Sequence, residues 1–246
     1  MNSGIYTAYS GMQAQLDALD MLANNLANIN TTGFKEDTAF YTFLSQSMDE
    51  APQPDNLSAT VNRSVKTLGT LNMADGSLRA TNRELDIAIE GEGFLAVETP
   101  RGIRYTRNGN LYLNKQYVLE TSDRYPVLSA NTGRPITLGP GTVSINEDGE
   151  ISLDSVAVDR LKVVTFDDLS TLAKEGNSLF TSSAGEDSIK ASGARIRSGY
   201  LEQSNVNAVA SIVRMVNILR HFEAIQKSIN LEMNEMNTKV IEKLGR

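Results

Sequence analysis

Apolar side chains recur at helical spacing at both ends of the chain and at strand spacing between them. Near the N-terminus Ile5, Met12, Leu19 and Leu26 fall every seven residues, with Tyr9, Leu16 and Ala23 four positions after the first three. Steps of three and four line such positions on one helix face. The pattern predicts a helix over residues 3–30, roughly 40 Å long at 1.5 Å per residue. Its stop is written in Asn30-Thr31-Thr32-Gly33, because glycine adopts the positive φ that ends helices. Phe34 then offers an apolar anchor. A second stripe, Met215, Ile218, Phe222, Ile225, Ile229, Met233, Met236, Val240 and Leu244, predicts a helix over the last 41 residues. Ser204 or Asn205 is the expected N-cap before Val206.

The period changes between the stripes. Residues 36–66 carry no regular pattern, and Pro52 and Pro54 predict an extended or irregular segment. Phe40, Tyr41, Phe43 and Leu44 are too apolar for that whole segment to be solvated. From about Val65 to Tyr200 short alternating runs predict strands. Leu85, Ile87 and Ile89 alternate with Asp86, Ala88 and Glu90. Asn108-Gly109 between Ile103–Arg107 and Asn110–Leu113 predicts a hairpin, since both turn residues tolerate positive φ. Asp148-Gly149 between Val143–Ile145 and Ile151–Leu153 predicts another, and Leu161–Phe166 a further strand. The expected class is α+β, with long N- and C-terminal helices packed as a coiled-coil-like pair and a central all-β domain. The expected divisions are 1–35, the N-terminal helix; 36–66, an extended linker; 67–204, the β domain; and 205–246, the C-terminal helix.

Composition narrows the function. A formal net charge of -7 argues against a broad nucleic-acid surface. Residues 1–30 carry -2, whereas residues 206–246, with six basic and four acidic groups, carry +2, so the two ends are mildly complementary. The absence of cysteine excludes disulfide scaffolds, thiol catalysis and cysteine zinc sites. No basic stretch followed by an apolar one opens the sequence, so no cleaved signal is expected, and no run approaches the ~18 apolar residues of a membrane span.

The sequence marks no residue as catalytic, cofactor-binding or metal-ligating. His221, the single histidine, lies within the C-terminal stripe without a nucleophile motif. Gly91-Glu92-Gly93 lacks the third glycine of a dinucleotide fingerprint. Asn146, Asp148 and Glu150 make half a calcium loop without the closing acid, and a hairpin turn explains them better. A non-enzymatic role is expected, with no cofactor.

Four segments carry a resemblance. Leu22-Ala23-Asn24-Asn25-Leu26-Ala27-Asn28-Ile29-Asn30-Thr31-Thr32-Gly33-Phe34-Lys35 resembles the N-terminal signature of the bacterial flagellar rod and hook proteins. Leu85–Phe94 resembles the first strand of their β domain, and Tyr105–Gly109 the hairpin after it. Gly199–Asn207 resembles the lead-in to their C-terminal helix, which Arg220, Phe222 and Glu223 also fit. The length resembles the FlgF/FlgG pair. The opening Ile5-Tyr6-Thr7-Ala8, the Arg107–Asn110 turn and the compact insertion favour the proximal-rod member, with the distal-rod member as the alternative.

This resemblance implies a structural subunit of the periplasmic rod, exported by the flagellar type III apparatus without a cleaved signal. Its implied partners are copies of itself and other rod proteins in a helical tube. The residues expected at assembly interfaces are Ile5, Met12, Leu16, Leu19, Leu26, Asn28, Gly33 and Phe34, then Ser204, Asn205, Val206, Phe222, Ile225, Ile229, Met233, Met236 and Val240. Asn24, Asn25 and Asn28 sit near the first stripe, and buried Asn could fix helix register there; plain exposure is the alternative. A carbohydrate-binding or enzymatic β domain with helical arms is the reading from another class, and a self-contained coiled-coil adaptor is a third.

Overall fold

The computed structural model describes residues 2–45, 63–176, 178–183 and 189–244. Two long helices bracket the chain: α1 (Asn2–Ala27) and α2 (Ala208–Leu244). Between them run β1 (Asp37–Ser45), β2 (Arg63–Leu71), β3 (Leu78–Ala80), β4 (Ile87–Glu90), β5 (Phe94–Thr99), β6 (Gly102–Thr106), β7 (Leu111–Leu113), β8 (Leu119–Thr121) and β9 (Val143–Ile145). The series continues with β10 (Glu150–Leu153), β11 (Val156–Arg160), β12 (Val163–Phe166), β13 (Leu172–Glu175), β14 (Leu179–Ser182), β15 (Ile189–Ala191), β16 (Arg195–Ser198) and β17 (Tyr200–Glu202). The chain divides into two compact units. One comprises Met1–Leu26, Asp37–Thr70 and Asn207–Arg246, the other Ala27–Glu36 and Leu71–Val206.

In the helical unit α1 and α2 pack together, as the α+β reading expects. Strands β1 and β2 form a two-stranded sheet in the same unit. They lie largely in the stretch without sequence period. Alternation is hidden there, but Phe40-Tyr41-Thr42-Phe43 is rich in the aromatic and β-branched residues that favour strands. Residues 46–62, with Pro52 and Pro54, lie outside the described residues, as do the side chains of Phe40–Leu44.

The β unit is built on a six-stranded antiparallel sheet, in the order β13-β14-β6-β5-β12-β15. Strand β5 is buried on both faces. Leu95 and Val97 join an aliphatic cluster with Ile87, Ile89, Leu111, Leu119 and Ile151. Phe94 and Ala96 join a second cluster with Tyr105, Phe166 and Phe180. There the rings meet edge to face, with Phe94 5.7 Å from Phe166 and 5.5 Å from Phe180, a geometry that adds to burial. The Asp148-Gly149 hairpin forms as expected, pairing Ile145 with Ile151. Asn146 Oδ1 accepts from the amides of Asp148 and Glu150, and Gly149 takes φ +76°.

Three expectations change. The Asn108-Gly109 hairpin does not form. Strand β6 pairs with β5 and β14, and β7 pairs with β8. Neither turn residue has positive φ; the dipeptide is a passage between sheets. Gly109 is required for space instead, because a Cβ there would lie 1.9 Å from the Ile87 carbonyl oxygen. Along β4 the expected strand does form, with Ala88 and the preceding Asp86 as enclosed as Ile87 and Ile89. Finally, α1 gives way to a turn after Ala27, and the N-cap of α2 is Asn207. Its Oδ1 accepts from Ala210 N at 3.0 Å and its carbonyl from Ser211 N.

Two glycine substitutions separate these effects. Gly109→Ala should destabilise by about 1–3 kcal/mol through the Ile87 clash. Gly11→Ala, mid-helix with nothing within 4 Å of the new methyl, should stabilise by about 0.5–1 kcal/mol. Denaturant midpoints that move together would contradict this reading.

Candidate assembly interface

At roughly 100° per residue the side chains of α1 sort onto faces. Ala14, Ala18, Leu22 and Asn25 share the face that is buried. Tyr9 and Leu16 lie nearly opposite and are 62% and 41% exposed. Met12, Leu19 and Leu26 fall between and are half-buried. The chain thus covers the small-residue face of α1 and leaves much of its large apolar stripe open. Small residues explain the choice, since they let neighbouring elements approach closely. Around that face Ala18, Met21 and Leu22 of α1, Asp37–Ala39 of β1, and Arg214, Asn217, Ile218 and His221 of α2 line a groove of about 410 Å³.

Helix α2 repeats the arrangement. Met215, Ile218, Phe222, Ile225 and Ile229 are half-buried along one meridian with buried Ser211. Met233 follows the same spacing but is exposed. The side chains of Ile5, Met236 and Val240 lie outside the described ones. A second apolar face, absent from the sequence reading, carries Val209, Val213 and Val216, all exposed. Its i, i+4, i+7 spacing was present in the sequence but overshadowed by the longer stripe.

Polar residues in the last turn of α1 and just after it are turned inward. Asn25 Nδ2 donates to the Asp37 carbonyl at 2.8 Å, and its Oδ1 accepts from Asp37 N at 3.0 Å. Asn28 Oδ1 accepts from Thr31 Oγ at 3.1 Å. Both buried amides are therefore engaged within the chain, while Asn24 is exposed. Gly33 takes φ +68° and donates its N–H to the Glu202 carbonyl at 2.9 Å. A Cβ there would sit 2.4 Å from the Arg107 carbonyl carbon. Phe34 is buried, with Lys174 Nζ 3.6 Å from its ring centroid. Gly33 and Phe34 thus have intramolecular roles in the β unit. At the other end, Ser204 Oγ accepts from Val206 N and Val206 is buried.

Sequence reasoning also missed a buried ion cluster in this unit. Lys35 Nζ lies 2.7 Å from Glu202 Oε1 and donates to the carbonyls of Ala74 (2.9 Å) and Met73 (3.4 Å). Both side chains are essentially inaccessible. Arg107 approaches Glu202 Oε2 at 3.5 Å and Asp75 at 3.4 Å, while its other nitrogen donates to Gly91 O at 2.8 Å. Burial pushes the Lys35 ammonium below its ordinary 10.5, against the opposing pull of Glu202. Lys35 and Glu202 stand inside the motifs that carry the family resemblance, but charge next to apolar neighbours does not reveal burial by itself.

Three family descriptions match successive segments. "Flagella basal body rod protein" matches residues 5–35, "Flagellar hook protein FlgE/F/G D1 domain" residues 88–153, and "Flagellar basal body rod FlgEFG protein C-terminal" residues 197–232. The flagellar basal-body rod protein FlgF of Caulobacter vibrioides is 34% identical, covering 100% of this chain and 99% of its own length. FlgG of Bacillus subtilis is 30% identical over 93% of this chain and 94% of its own. FlgG of Borreliella burgdorferi is 32% identical over 95% and 96%. Identity of 34% along the whole chain shows the family, and the chain belongs to the flagellar basal-body rod proteins of the FlgF and FlgG type. Within that family its role is structural, and it is not an enzyme. Among the described residues no helix is long and apolar enough to cross a membrane, and no acidic, histidine or cysteine group is arranged to hold a metal ion.

Lys35→Met should cost up to about 3–5 kcal/mol, because it takes the nearer of two cations from the buried Glu202 carboxylate and leaves Arg107 at 3.5 Å. The folded chain holds the Lys35 proton less tightly than the unfolded chain does. Stability from this group therefore rises with pH between its depressed value and 10.5. The gap between wild type and Lys35→Met should widen across that window in denaturant titrations; a gap that narrows there would contradict the depressed lysine.

Proposed function

We propose that the chain is a rod subunit that polymerises through its terminal helices, and that it is the proximal-rod, FlgF-type member. The observation that carries this reading is the exposed apolar face of α1 at Tyr9 and Leu16, opposite the face buried within the chain. Val209, Val213 and Val216 give α2 a comparable face. Burial of such surface at roughly 25 cal/mol per Å² drives association. Its partners are copies of itself and the other rod proteins, in a periplasmic shaft that passes motor torque to the hook. Subunits reach it through the flagellar type III export apparatus. Full-length alignment with a FlgF protein supports the proximal assignment. Alignment of nearly the same span with FlgG proteins supports a distal-rod subunit as the second reading.

Leu16→Asp and Val213→Asp test the helix faces. Both positions are exposed in the free chain, so monomer stability should stay within about 0.5 kcal/mol of wild type. Cells carrying either variant should lack rods and swim no farther than a rod-deletion strain. Wild-type swimming with both would sink the proposed interface. Complementation separates the two positions: the chain should restore swimming to cells lacking the FlgF-type subunit but not to cells lacking the FlgG-type one.

A further inference from the structure

The chain passes between its two compact units at four points, after residues 26, 36, 70 and 206. Within the β unit, the stretches beside three of these passages converge on one side chain. Asn205 Oδ1 accepts from Glu36 N at 2.7 Å. Asn205 Nδ2 donates to the carbonyls of Asn72 at 2.8 Å and Ala74 at 2.9 Å. The main chain closes the same knot, since Asn72 N donates to Glu36 O at 2.8 Å and Asn205 N to Phe34 O at 3.4 Å.

A primary amide suits this position because it offers one acceptor and two donors on a short, planar group. An aspartate could accept from Glu36 but would face two carbonyl oxygens without a proton to give. An aliphatic side chain would satisfy none of the three groups. Glu36 and Asn205 are 169 residues apart in sequence, so their approach carries a loop-closure cost that local hydrogen bonds do not offset alone. The Lys35–Glu202 pair, one residue before Glu36 and three before Asn205, backs the joint from inside.

We propose that Asn205 is a positioning residue that gathers residues 34–36, 72–74 and 205 into one preformed joint within the β unit. The stretches from which the chain leaves that unit are then held in mutual register in the free subunit, before any neighbour is present. This differs from the helix faces described above, which act between subunits. Its value in assembly rests on the rod reading; the joint itself does not.

Hydrogen exchange on the full-length monomer, read at single amides, tests the joint. In Asn205→Ala the amides of Glu36 and Asn72 should exchange roughly tenfold faster or more, while Ala96 and Leu128 in the core of the β unit keep wild-type rates. In Asn205→Asp the Glu36 amide should regain its acceptor and its protection, whereas Asn72, whose own N–H donates to the Glu36 carbonyl, should stay fast, because the carbonyls of Asn72 and Ala74 then face a carboxylate in place of their amide donor and the 72–74 stretch is released. Unchanged rates at Glu36 and Asn72 in Asn205→Ala would overturn the proposal. So would an equal acceleration at Ala96 and Leu128, which would mark general destabilisation, or full recovery of both joint amides in Asn205→Asp. None of these results touches the rod reading, which stands or falls with the Leu16→Asp and Val213→Asp swimming phenotypes.

Discussion

The ion pair between Lys35 and Glu202 ties the end of the short Ala27–Glu36 segment of the β unit to the last residues of its long one. The two groups are 167 residues apart and 2.7 Å from each other, out of contact with water. Desolvating two charges is expensive and tolerable only when the remaining donors and acceptors are also satisfied. Here the Met73 and Ala74 carbonyls take further protons of the ammonium, and Gly76 N donates to the carboxylate. Arg107 supplies a second cation. The turn after α1, the segment at 73–76, the end of β6 and the lead-in to α2 are therefore mutually dependent. That dependence explains why Gly33 has no room for a side chain, since its backbone lies against Arg107.

The helical unit follows a different logic. Each helix has more apolar surface than the described chain covers. On α1 the alanines at 14 and 18 and Leu22 take the interior, while Tyr9 and Leu16 remain outside. On α2 the Met215–Ile229 meridian is partly covered and the valine face is not. A chain arranged in this way leaves part of its available apolar burial unused on both helices. The β unit shows no such surplus along β5, where both faces are enclosed by separate clusters.

Much of the fold was legible. Helical period is carried by residues close in sequence, so α1, α2 and the α+β class could be read directly. The Asp148-Gly149 hairpin was equally local. Asn108-Gly109 misled because its turn signal is also local, whereas β6 finds β14 more than 70 residues away. Asn205 was legible as a polar residue before a helix, but Asn207, two positions on, makes the cap. Asn205 instead serves partners around residues 36 and 72, which no local rule connects to it. The rod family was legible because its signature residues cluster in short segments, several of them at the joint.

The sequence by itself determined that both ends are long helices with apolar stripes, that strands lie between them, and to which family the chain belongs. Tertiary structure decided which meridian of each helix is covered and which charged residues are interior. The physical reason is one of range. Periodicity fixes the angles between side chains on their own element, but it leaves the whole helix free to rotate. Only contact with elements distant in sequence selects the face, and only enclosure from all sides turns an ordinary lysine and glutamate into the pair that ties the two segments of the β unit together.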